Sequence, residues 1–425
     1  MSSKVTDQFI DYLLKKRTEI SEEVIDKARL CKIDYAAVTA AGAAKNRDKW
    51  KDMLKLCSGG KAEIFGYSEK TDSRTAAFIN GFNAHSLELD DGHRFGMIHL
   101  GASVISAIEA VSGDIEINET QKYIGIVMGY EAACRLAMSL QPSHKQLGFH
   151  AAGTCGTVGA AMGVAFALNM KSEQMKRVLT AAAGSSAGLL EIQEQKSELK
   201  PYNLGKAAMN GLLAAFIGLT GFEPPDDILG GERGFCHLYS RKFDEQKLLM
   251  TAEYFEIERI YLKLYASCRH SHSAAEAAIH LHQKVDAEDI ENVNVRTYKL
   301  AVKGHDHTDI LGTASAKLST PYAVAAGLIY GRADLAMFEP VDPKIADFAK
   351  KVEVREDSQL TELSPGKRVA IVTVRMKNGE MFTERVDYAK GDPENPLTEE
   401  EFAQKVRELK QYSENTIGGL YEQYG

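Results

Sequence analysis

Residues 148–170 read Gly148-Phe-His150-Ala-Ala-Gly-Thr154-Cys-Gly-Thr157-Val-Gly159-Ala-Ala-Met-Gly163-Val-Ala-Phe-Ala-Leu-Asn-Met170, without a single Asp, Glu, Lys or Arg. From Ala151 onward the run is long enough to cross a bilayer, and Gly159 and Gly163 have the Gly-x-x-x-Gly spacing of tightly paired helices. Yet it is rich in Ala and Gly, carries Thr154 and Thr157, and is not strongly apolar. That combination predicts the central helix of a helical bundle, buried all round, with neighbouring backbones close to its glycines. His150 falls at the N-terminus of this helix. The positive end of the helix dipole there favours a neutral imidazole or a nearby anion.

The segments on either side follow the same pattern. Ala102-Ser-Val-Ile-Ser-Ala-Ile-Glu-Ala-Val is apolar or small on nearly every face. Helices are expected at 74–88, 101–112, 122–140, 172–183 and 204–222, and through much of the first 44 residues. Glu131 and Arg135 are four apart and suit a supporting intrahelical pair. Gly59-Gly60 breaks the first helical run, and a short strand is expected at 62–65. From Glu253 the texture changes. Tyr254–Leu262 alternates like a strand or linker, a helix is expected at 274–284, and 293–298 and 368–375 look like strands. Lys377-Asn-Gly-Glu after the second is a hairpin signal. At 425 residues the chain exceeds what one core usually holds. The expected fold is mainly α: a large helical domain over 1–265, to which a helix in 393–425 returns, and a smaller α+β domain over 266–392.

Composition narrows the function classes. Net charge is −8, and no basic tract is interleaved with aromatics, so nucleic acid is not an expected partner. The six cysteines are scattered without a Cys-x-x-Cys, which suggests neither a disulfide framework nor a structural zinc. The first residues lack the apolar core of a signal peptide, so a cytoplasmic, non-membrane protein is expected.

Four short motifs place polar groups in this bland scaffold. Residues 79–101 hold Glu88, Asp90 and Asp91 among His85, His93 and His99. Carboxylates beside imidazoles are what proton transfer near neutral pH requires. The others are Gly148-Phe-His150, Lys200-Pro with Lys206, and Lys263 through Arg269 to His272. Lys and Arg at such places suit substrate carboxylates. Gly184-Ser-Ser-Ala-Gly188 matches a nucleophile-elbow pattern, but a helical segment precedes it where a strand is needed. His305-Asp-His307-Thr-Asp309 reads as an exposed polar loop.

In order and spacing, these motifs resemble the MmgE/PrpD family across nearly the whole chain. The resemblance rests on Asn83-Ala-His-Ser-Leu-Glu-Leu-Asp-Asp91 with His99-x-Gly, Gly129-Tyr-Glu, Gly148-Phe-His150 and Lys200-Pro. It continues through Cys268-Arg269-x-x-His272, Ser319-x-Pro-Tyr322 and the tail Lys390-Gly-Asp-Pro-Glu-Asn-Pro-Leu-Thr398. It implies a helical domain with an α+β lid, usually a homodimer, an active site between the domains, and no metal or organic cofactor. The expected activity is a lyase, a dehydratase or decarboxylase, acting on a small di- or tricarboxylic acid by proton transfer at the α-carbon. The alternatives are an epimerase of a dicarboxylate and a silent carboxylate-binding relative. Carried over, the catalytic candidates are Asp90, Asp91, His99, His150, Lys200 and Tyr322. Lys263, Arg269 and His272 join His93 as substrate-binding candidates. His85 is expected to be structural. The chain departs from the family pattern at Gly92 and His93, where many members have Thr and a larger residue. Leu100 stands in place of Pro, and Tyr202-Asn203 in place of Leu-His.

Overall fold

Apolar stripes at helical spacing build most of the molecule. The computed structural model describes residues 4–57, 59–194 and 197–417. Its longer helices are α1 (Val5–Arg17), α2 (Glu22–Leu56), α3 (Ser73–His85), α4 (Gly101–Val111), α5 (Glu119–Leu140), α6 (Ala151–Ala167), α7 (Ser172–Ser185), α8 (Tyr202–Ile217), α9 (His272–His282), α10 (Thr320–Tyr330) and α11 (Glu399–Ile417). The fold is thus mainly α with a small α+β part, as expected.

The uncharged stretch forms α6, which is buried at every position and ends at Ala167. It packs against α4, α5, α7 and α8. The crossing with α5 is very close. A Cβ on Gly129 would lie 2.8 Å from the Gly159 carbonyl oxygen, and one on Gly125 would lie 2.6 Å from that of Gly163. The Gly-x-x-x-Gly spacing is therefore the seat of a helix crossing inside the core. No helix among the described residues is long and apolar enough to cross a membrane.

A short antiparallel ladder, β1 (Ala62–Glu63) with β2 (Lys70–Thr71), caps this helical part. The second part carries a four-stranded sheet of β3 (Ile290–Thr297), β4 (Val352–Glu356), β5 (Ala370–Met376) and β6 (Met381–Val386), in the order β4-β3-β5-β6. The β3–β4 pair is parallel, with Val293 opposite Val352, and the other pairs are antiparallel. The Lys377-Asn-Gly-Glu turn joins β5 to β6, with Gly379 at φ 88°. Alternation along β5 turns Val372 and Val374 into a core shared with α9 and α10. The segment at 254–262, read as a strand or linker, is a linker with a 3₁₀ turn over Glu256–Arg259, followed by a single bridge in which Tyr261 and Gly92 exchange backbone hydrogen bonds of 3.0 and 3.1 Å.

There are two apolar cores, and the acidic-histidine stretch joins them. Ile98 and Leu100 pack in the helical core, whereas Leu87 and Leu89 pack in the sheet-containing one with Ala37, Val38 and Ala41 of α2. The last helix, α11, lies along α2. Its buried Lys405 donates to Asp34 at 2.5 Å and to the Leu89 carbonyl oxygen at 2.9 Å.

Candidate active site

The turn after α3 sends its two aspartates in opposite directions. Asp91 Oδ1 accepts the backbone N–H groups of Leu100 (3.2 Å) and Gly101 (3.0 Å), which caps α4 from upstream. Tyr130 donates its hydroxyl to the other oxygen. Burial pushes the Asp91 carboxyl up to about 6 against these donors. Asp90 instead faces three cationic or imidazole groups. Its Oδ2 is 2.8 Å from His85 Nδ1 and 3.3 Å from His99 Nδ1, and its Oδ1 is 3.6 Å from Lys263 Nζ. Glu88 receives Lys200 and Lys263, the latter at 3.0 Å, with His85 Nε2 at 3.3 Å. Burial by itself would raise both carboxyls. Lys200, Lys263 and His85 outweigh it at Glu88, and His85, His99 and Lys263 at Asp90, so both stay well below the usual range. Burial pulls His85 and Lys263 down, but the same acids more than offset it and raise both.

His85, Asp90 and His99 present ligand-type atoms within 4.8 Å of one another. The Asp91 carbonyl oxygen takes the His99 Nδ1 proton at 2.7 Å, and Lys263 already faces Asp90. The trio fits an ion-paired hydrogen-bond cluster better than a cation site.

Above this cluster lies a narrow cavity. His99, His150, Lys200 and Arg269 line it together with Lys145, Tyr261, His270, His305 and Arg368, and no Asp or Glu among the described residues does. Arg269 is held by Asp392 at 2.5 Å, so the long tail motif contributes the partner of a cavity cation. Gly391 makes that tail fit: its φ is 88°, and a Cβ there would lie 1.8 Å from the Leu262 carbonyl oxygen. The Tyr261 ring lies 5.0 Å from the Arg269 guanidinium and 5.9 Å from that of Arg368. A Cβ at Gly92 would come within 2.3 Å of the Tyr261 hydroxyl. The small residue at this departure from the family pattern is therefore matched by a tyrosine in the space beside it. A larger, mainly apolar cavity edged by Trp50, Phe78, Phe82 and Tyr202 shares Lys200, Gln193 and Leu318 with the polar one.

Two of the imidazoles that line the cavity, His99 and His150, hold their protons differently. His99 Nδ1 faces a carbonyl oxygen, which only accepts, so its proton sits on Nδ1 and Nε2 is bare. His150 Nδ1 lies 3.1 Å from the Asn203 amide nitrogen, which also donates to the Leu189 carbonyl oxygen at 3.3 Å. That second bond fixes the amide orientation, so His150 Nδ1 accepts and its proton is on Nε2. Burial pushes His99 down to about 4 and His150 well below the usual imidazole range, with Lys200 adding to the latter. Both rings are neutral at pH 7, one a proton acceptor and the other a donor. Asn203, at another departure from the family pattern, sets the second.

Three candidates lie elsewhere. Tyr322 is fully buried in the sheet-containing core, its hydroxyl donating to the Met337 carbonyl oxygen and accepting from Asp342 N–H, both at 2.9 Å. A tyrosine in a Ser-x-Pro-Tyr helix start satisfies the loop that follows the helix, and the structure does not bring it to the cavity. His93 has its Nε2 3.0 Å from Glu256, in a buried network with Arg135 and Glu131 behind the turn. The Glu131–Arg135 pair itself is intrahelical, at 2.8 Å. His272 is buried against Tyr265, its Nε2 on the Ser267 carbonyl oxygen at 3.0 Å. The expected exposed loop at 305–309 is corrected at His305, which is buried, lines the cavity and is pushed down to about 4 by burial. Lys145, Tyr261 and Arg368 carried no signal in the sequence, because they lie in separate segments that only the fold brings to one cavity. Glu88 and His270 stood inside quoted motifs, but their pairing is tertiary.

Two family models match, the MmgE/PrpD N-terminal domain over residues 7–247 and the MmgE/PrpD C-terminal domain over residues 265–416. Among curated proteins, the chain is 25% identical to cis-aconitate decarboxylase of Homo sapiens over 358 residues, covering 78% of this chain and 71% of that protein. The Mus musculus cis-aconitate decarboxylase is 24% identical over 78% of this chain and 70% of its own length. The cis-aconitate decarboxylase-like protein oryM of Aspergillus oryzae is 22% identical over 93% of this chain and 88% of its own length.

Proposed function

The chain belongs to the MmgE/PrpD family, and from that premise we propose that it is a lyase that removes water or carbon dioxide from a small di- or tricarboxylic acid without a metal or organic cofactor. The observation that carries this reading is a cavity lined, among the described residues, by four cations and no carboxylate, with two of its neutral imidazoles, His99 and His150, in opposite proton states. The cations bind the substrate's carboxylates and stabilise the electron-rich carbon that forms beside one of them. In dehydration, His99 Nε2 takes the α-proton, the electron pair forms the alkene, and His150 Nε2–H protonates the departing hydroxyl. In decarboxylation, the C–C bond electrons stay on the α-carbon as carbon dioxide leaves, and His150 Nε2–H supplies the proton to that carbon. Asp90 stabilises the imidazolium that forms at His99. Asp91 holds His99 in place through its carbonyl oxygen.

Turnover of a panel of small acids tests the reading. Carbon dioxide release from cis-aconitate selects the decarboxylase, and a rise in alkene absorbance from a hydroxy acid the dehydratase. His150→Ala is expected to abolish either while the protein stays folded. Full turnover in that variant, or none in the wild type with any acid, would sink the proposal. The same pair of imidazoles favours a second reading, an epimerase that removes a proton on one face and returns one on the other. It predicts deuterium incorporation at the α-carbon from heavy water, with no net consumption of a dicarboxylate.

A further inference from the structure

The charges around the cavity do not balance, and the imbalance is local. Of the four cations, Lys200 is paired with Glu88 and Arg269 with Asp392. Among the described residues, Lys145 and Arg368 have no carboxylate partner. The buried Arg368 makes one side-chain hydrogen bond, from Nη2 to the Arg94 carbonyl oxygen at 3.1 Å, and otherwise stacks near Tyr261. Lys145 is half-buried, and its ammonium reaches only His270 Nε2, at 3.4 Å. His270 is itself neutral, with Nδ1 on the Tyr298 hydroxyl at 2.6 Å. Burial pushes the Lys145 ammonium down, and Arg368 and Lys200 push it the same way. A protein tolerates cations drawn out of water and set against one another when an anion is to complete the site.

We propose that Lys145 and Arg368 form the clamp for one carboxylate of the substrate. The proposal rests on reading the cavity as an acid-binding active site. Lys200 and Arg269 already have protein carboxylates, so they serve as the scaffold's cations and as secondary contacts. The free pair supplies a point charge and a planar fork to the first carboxylate, and this anchors the α-carbon against the two imidazoles.

The test uses the full chain, the unreactive tricarboxylate tricarballylate, and the variants Lys145→Met and Arg368→Lys. Tricarballylate is expected to raise the Tm of the wild type, and most of that shift is expected to vanish in each variant. Lys145→Met without ligand is expected to melt at or above the wild-type temperature, because no acid loses a partner. With a substrate that turns over, each variant is expected to raise KM by about tenfold or more, with a smaller change in kcat. Variants that keep the tricarballylate shift overturn the clamp, and so does a wild type that tricarballylate does not stabilise. A Lys145→Met protein that melts lower without ligand also overturns it, since the lysine would then belong to the scaffold. The binding readout needs no catalysis. Ligand shifts that depend on the clamp, with no acid turned over, would sink the lyase and leave the clamp; turnover indifferent to Lys145 and Arg368 would do the reverse.

Discussion

The amide of Asn203, 3.1 Å from His150 Nδ1, decides which nitrogen of that ring carries the proton. Asn203→Asp replaces a donor with an acceptor, draws the proton to Nδ1 and leaves Nε2 bare toward the cavity. We expect kcat to fall about 100-fold with little change in KM, and the pH profile to shift as the new carboxylate raises the ring's pKa. A kinetic pH series on the folded variant checks this; an unchanged profile would mean that the amide does not set the tautomer. At the same scale, part of the site was readable and part was not. Asp90, His99 and His150 stood out because imidazoles and acids are rare in an apolar helical run. The separate fates of the adjacent aspartates were hidden, because a backbone turn decides which carboxylate meets a helix end and which meets Lys263. Asn203 and Gly92 were visible only as departures from a pattern. Their effect depends on His150 and Tyr261, 53 and 169 positions away in the chain.

Among the elements, α4 depends on a cap that is not its neighbour in sequence. Asp91→Ala would leave the N–H groups of Leu100 and Gly101 and the hydroxyl of Tyr130 without a partner inside the core. A loss of about 2 kcal/mol is expected, read as a lower Tm, and activity should fall further because the same turn holds His99. The α5–α6 crossing admits no side chain. At Gly159 a Cβ would lie 2.6 Å from that of Ala133 and 2.9 Å from the Gly129 carbonyl oxygen. Gly159→Val should therefore cost about 3 kcal/mol or more, measured as a Tm drop or loss of soluble protein, whereas a substitution at Gly184, which has open space, should be mild. The helices themselves were legible, because an uncharged run or an apolar stripe has few other ways to be buried. The alternation at 254–262 left strand and linker open, and the linker holds: the 3₁₀ turn there packs against α2 and α5, with no strand partner among the described residues beyond the bridge at Gly92.

For the molecule as a whole, the buried imidazoles set the response to acid. His99 and His305 lie at about 4 when folded, against an ordinary 6.5. Between those values the unfolded chain binds protons that the folded one refuses. Their stabilisation is therefore complete above about pH 6.5 and is lost as pH falls through 4, on the order of 3 kcal/mol each. His150, His270 and His272 are shifted in the same direction. Melting temperatures measured from pH 7 to pH 4.5 should fall steeply, and a flat profile would contradict the burial of these rings. Molecule-scale features were the least legible in the sequence. The site is gathered from Glu88, Lys145, His150, Lys200, Lys263, Arg368 and Asp392, and no local rule announces that distant segments share one cavity.

Lys405 of α11 reaches back to the carbonyl oxygen of Leu89, beside Asp90, and to Asp34 of α2. Along the direction of synthesis, the turn that carries Asp90 and Asp91 is made early and its Lys405 buttress very late. A nascent chain paused at β5 would already carry His99 and His150, yet lack Asp392 and Lys405. The turn that holds Asp90 therefore gains its Lys405 contact only once α11 has been made.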